Sequence, residues 1–77
     1  MNEIVYVAEF ESGMVLEGYT NWKRGICEIN KNISGIVVKF PIKDGDSPAK
    51  LITYIVEEDR IFRNKKDAME YLKRVGG

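Results

Sequence analysis

The chain has 77 residues, 44% of them hydrophobic, and its twelve basic side chains balance twelve acidic ones. That length supports one small domain with a thin core, the apolar share excludes a disordered tail, and the zero net charge argues against the broad basic footprint of a nucleic-acid binder. No apolar run approaches the ~18 residues of a membrane span, and the single cysteine, Cys27, cannot staple its own chain, which suits a reducing, cytoplasmic setting.

The first ten residues alternate. Ile4, Tyr6, Ala8 and Phe10 share one side of an extended chain, and Val5 and Val7 lie on the other with Glu3, Glu9 and Glu11. Ser12-Gly13 marks a turn, with Gly13 supplying a left-handed residue. A three-residue loop, 11–13, places Phe10 opposite Met14, Ala8 opposite Leu16 and Tyr6 opposite Gly18. That register predicts a core face of Ile4, Tyr6, Ala8, Phe10, Met14 and Leu16, chosen because it keeps one apolar face intact.

Residues 21–25 read as a connection, 26–30 as a short third strand and 30–32 as a turn. A fourth strand over 34–42 carries Ile36, Val38, Phe40 and Ile42 on one side, and Pro41 marks a strand end or an edge. After the turn-forming segment 44–48, a β-branched and aromatic run predicts a fifth strand over 50–57. The acidic run Glu57-Glu58-Asp59 reads as a solvated loop.

The final segment changes period. Asn64 is a good N-cap with Asp67 three residues on, and Ala68, Met69, Leu72 and Val75 form one stripe at helical spacing. A helix of about eleven residues is too short to persist alone, so it packs on the sheet. The expected fold is α+β: a five-stranded antiparallel sheet with one C-terminal helix packed on it. The sheet either stays open or curls toward a small barrel.

Function is less legible. The sequence has no histidine, which removes the usual general base near neutral pH and the commonest metal ligand. One cysteine cannot build a zinc site, and neither GxGxxG nor the P-loop pattern occurs. No catalytic residue, metal or cofactor is therefore assigned, and the chain is not expected to be an enzyme.

The favoured reading is a non-catalytic interaction module, an inhibitor or adaptor that acts by occluding a protein surface or by self-association. Val5, Val7, Val15 and Tyr19 share the hairpin face left over by the chosen core and form the expected interface. The alternative is a small nucleic-acid-binding β-domain. Charge is distributed in blocks, and residues 21–43 carry five bases against Glu28. Trp22, Lys23, Arg24, Lys31, Lys39 and Lys43 would supply stacking and phosphate contacts there. No membrane contact is expected.

Overall fold

In the computed structural model, which describes residues 2–43, 45–47 and 50–76, the period-two alternation forms β1 (Glu3–Glu9) and β2 (Met14–Thr20). A short β3 (Arg24–Ile26) follows, then β4 (Ser34–Ile42) and β5 (Lys50–Val56). The acidic run is not an irregular loop. Residues Glu58–Arg60 make one 3-10 turn that feeds a two-residue strand, β6 (Ile61–Phe62), and then the helix α1 (Lys65–Gly76). Gly45 holds a positive φ in the β4–β5 connection, whereas Asp44, Pro48 and Ala49 of that predicted turn lie outside the described residues.

All pairings are antiparallel. Ile36 pairs with both Arg24 and Val56, and Lys39 with both Tyr19 and Thr53. A strand has only two edges, so β2 and β3 share one edge of β4 while β5 takes the other. The sheet thus runs from β5 through β4, β2 and β1 to β6. The 3-10 turn joins its two outermost strands and draws them round into a curled half-barrel. Val5 and Val7 of β1 meet Ile36, Val38 and Phe40 of β4, Val56 of β5 and Ile61 of β6 in one interior cluster.

The hairpin register differs from the expected one by a single residue. Glu9 lies opposite Met14, Ala8 opposite Val15 and Val5 opposite Gly18, so the loop has four residues, 10–13. Gly13 does take the positive φ, at 68°. A one-residue slip exchanges the faces of β2 relative to β1. Leu16 now shares the interior side with Val7, whereas Val15 and Tyr19 share the outer side with Ala8 and Ile4. Of the six residues expected in the core, only Ala8 is fully buried, and Ile4, Phe10, Met14 and Leu16 are exposed.

The helix begins as its sequence dictates. The Asn64 side-chain oxygen accepts the Asp67 backbone N–H at 2.9 Å, and the Asn64 amide donates to the Asp67 carboxylate at 2.9 Å. This satisfies one of the free N–H groups of the first turn. The helix lies on the outer face of β1 and β6. The Tyr71 ring sits 5.7 Å from Phe10 and 5.3 Å from Phe62, and Ala68 is fully buried. The inward stripe is therefore Ala68, Tyr71 and Leu72. Met69, 49% exposed, turns toward solvent, and Val75 at the last turn is also exposed. Tyr71 takes the place expected of Met69 because an aromatic ring reaches both Phe10 and Phe62.

Where β5 ends, its backbone crosses very close to β4. A Cβ added to Gly35 would meet the Val56 carbonyl oxygen at 2.3 Å. Only glycine permits that approach, which lies where the chain leaves β5 for the 3-10 turn.

Candidate functional site

The half-barrel is filled at one end and open at the other. At the open end its concave surface forms an apolar cleft of about 490 Å³, within the size range of small-molecule and side-chain pockets. β1 contributes Val7, β2 contributes Leu16, β4 contributes Phe40 and Ile42, and β5 contributes Tyr54. Phe40 and Tyr54 pack edge to face with ring centroids 5.8 Å apart.

The register explains why these side chains converge. Tyr54 pairs with Val38, Ile52 with Phe40 and Lys50 with Ile42, so Ile52 and Tyr54 share the concave face of β4. From the hairpin, Met14 and Leu16 face the same space. Met14, Leu16, Ile42, Ile52 and Tyr54 are all exposed, because no described strand closes the barrel over them. A wall of five uncovered large apolar side chains around a half-filled core is more than scattered surface hydrophobicity.

One cation is fixed beside this wall. Arg60 donates from Nε to the Ala8 carbonyl at 3.0 Å, and its guanidinium lies 5.2 Å from the Phe10 ring centre. Arg60 and Glu9 both line the cleft. The site thus offers aliphatic and aromatic walls, one backbone-anchored guanidinium and the carboxylates of Glu9 and Glu17: groups suited to holding an apolar segment with a polar end. Among the described residues no cluster of metal-ligating side chains forms, and no helix is long and apolar enough to cross a membrane.

The structure splits the expected protein interface. Val5 and Val7 are 0% and 2% exposed and belong to the interior cluster, so they present no surface in the folded chain. The curl of the sheet takes them in. Val15 is half-buried and Tyr19 exposed, both on the outer face. The cleft residues were hidden from sequence reasoning because the three-residue loop had placed Met14 and Leu16 in the core. The available signal lay in the fifth strand, where Leu51, Ile52, Tyr54 and Ile55 are apolar in both phases of the alternation.

The basic segment is dispersed as well. Trp22 sits at φ 63°, and the Thr20 hydroxyl makes that turn possible. Thr20, 2% exposed, accepts the Trp22 backbone N–H at 3.0 Å and donates to the Val37 carbonyl at 2.7 Å, bridging the gap where the edge of β4 passes from β2 to β3. The indole N–H donates to Glu3, which also accepts from Arg63 at 3.1 Å. The Arg63 guanidinium covers the indole at 4.8 Å, and the ring packs against the core. The hydrogen bond from Trp22 holds the Glu3 carboxyl below its ordinary range; burial opposes it, and the hydrogen bond and charge of Arg63 add to the lowering.

Trp22 therefore closes the core and is not a free stacking platform. Arg24 pairs with Glu58 at 3.1 Å. Lys31 and Lys43 flank opposite ends of β4, a strand spanning on the order of 26 Å. Lys23 and Lys39 do come together, in a shallow outer dent with Tyr19. Comparison with known protein families, with curated proteins and with solved structures produced no match, so the functional reading rests on geometry.

Proposed function

We propose that this chain is a non-catalytic protein-interaction module, an inhibitor or adaptor acting by occlusion, whose contact surface is the concave cleft. The supporting observation is that Leu16, Ile42 and Tyr54 stand uncovered around Phe40 in the cleft, with Met14 and Ile52 exposed on the same face. Burying such side chains on association is the usual source of binding free energy, and an aromatic such as Tyr54 is a typical anchor. The lone half-buried thiol of Cys27 fits a reducing, cytoplasmic setting for that role.

The test uses a photo-crosslinking residue placed in turn at Leu16, Tyr54, Tyr19 and Lys65 of the full chain in its host. A protein partner joined from Leu16 and Tyr54 but not from Lys65, and lost in a folded Leu16→Glu variant, supports the reading. Crosslinks from Tyr19 alone, or none that depend on Leu16, overturn it.

A second reading has one observation in its favour. Tyr19 is exposed and shares the outer dent with Lys23 and Lys39, an aromatic beside two cations of the kind that single-stranded nucleic acid uses. Nucleic-acid affinity carried there would fall steeply with rising salt, whereas contact through the apolar cleft would not.

A further inference from the structure

We infer that the free edge of β5 takes a second copy of this chain, the two β5 strands pairing antiparallel about a twofold axis at Thr53 to make one continuous sheet. β5 hydrogen-bonds to β4 in an unbroken register of seven residue pairs, from Val56 to Lys50, and pairs with no other described strand. Residues 50–54 are all exposed. A long, regular edge without a bulge, an interior proline or a central charge is a template for another strand, and folded proteins ordinarily blunt such edges.

The strand's own sequence selects the occupant. A twofold axis at Thr53 sets Ile52 opposite the partner's Tyr54 on the concave face. It sets Leu51 opposite the partner's Ile55 on the outer face. Cross-strand pairs of aromatic with β-branched and of aliphatic side chains are the stabilising kind. The charges agree in direction. Lys50 begins the strand, and Glu57, Glu58 and Asp59 directly follow it. An antiparallel pair brings each lysine to the acidic end of the other copy, whereas a parallel pair would stack like charges. Each residue contact off the axis occurs twice, as an isologous interface requires. The two concave faces then lie side by side on one surface of the joined sheet.

This inference concerns the main-chain edge; it shares Ile52 and Tyr54 with the cleft wall but not Leu16, so either can fail alone. Leu16→Glu removes the cleft wall and leaves the dimer intact. Sedimentation equilibrium of the full chain, from micromolar to millimolar, reads the association directly. The wild type should show a concentration-dependent monomer–dimer equilibrium. Thr53→Lys sets two lysines face to face across the axis and should give a monomer, somewhat less stable because Lys39 lies opposite Thr53 within the chain. Lys50→Glu should weaken the dimer by about tenfold, and adding Glu57→Lys should restore it. The charge pair decides the matter even if Thr53→Lys folds poorly. A wild-type chain that stays monomeric at millimolar concentration overturns the inference, as does a dimer indifferent to both Thr53→Lys and the charge exchange.

Discussion

Val7 and Ala8 are neighbours in β1 and point to opposite faces of the sheet, yet they are 2% and 0% exposed. Val7 belongs to the interior of the half-barrel, and Ala8 lies on the outer face between Tyr6 and Phe10, beneath the helix. β1 is thus covered on both sides, by the curl of its own sheet and by α1.

A charge at Val7 tests this. Val7→Lys should unfold the chain, because an unpaired ammonium inside the half-barrel costs several kcal/mol, comparable to the whole stability of a domain this small. Circular dichroism should show no cooperative thermal transition. A folded Val7→Lys protein would mean that β1 presents this face to solvent.

The helix seam makes a contrasting pair. Tyr71→Ala removes the ring that bridges Phe10 and Phe62, and the half-buried position sets the expected loss at about 2 kcal/mol, below the range for fully buried aromatics. Met69→Ala, on the solvent side, should stay within about 0.5 kcal/mol. Urea unfolding midpoints at equal slope would measure both, and similar losses would mean that the helix is rotated about its axis.

Two glycines should respond differently to a single methyl group. At Gly13 a Cβ meets nothing within 4 Å, and only the positive φ resists it, so Gly13→Ala should cost about 1 kcal/mol. At Gly35 the Cβ meets the Val56 backbone at 2.3 Å, and backbone cannot rotate aside as a side chain can. Gly35→Ala should therefore cost more than about 2 kcal/mol. Calorimetric melting of the two variants would rank them, and equal losses would contradict the close crossing of β4 and β5.

Glu3 gives the stability a defined dependence on acid. Its folded carboxyl is held down first by the Trp22 hydrogen bond and then by Arg63. A group whose folded value is depressed contributes stability above its unfolded value and loses it as pH falls through the folded value. The contribution should be complete near neutral pH and fade below about 4.5, the ordinary carboxyl value. Glu3→Gln should flatten that acid limb. The chain has one tryptophan, so Trp22 fluorescence should titrate in the same window in the wild type and not in the variant.

Features set by a few adjacent residues were legible in the sequence. Asn64 and Asp67 cap a helix wherever the chain goes next, and Gly13 marks a left-handed turn residue because that conformation is strained for side-chain-bearing residues. The alternation of β1 and the Ile36, Val38 and Phe40 side of β4 were legible for the same reason. The acidic 57–59 run concealed its 3-10 turn, since its composition reads as loop, and the two residues of β6 are too few to show a period.

Tertiary structure alone decided which face of β1 is interior, because Ile4, Tyr6, Ala8 and Phe10 on one side and Val5 and Val7 on the other are both apolar enough to bury. Local patterning cannot choose between two such faces. The choice fell to the loop, whose four residues rather than three moved Met14 and Leu16 from the expected core to the cleft wall, and to the curl that brought Val56 and Ile61 against Val5 and Val7. A period-two strand records that its side chains alternate, whereas the partner that covers each side lies tens of residues away along the chain and is brought there only by folding.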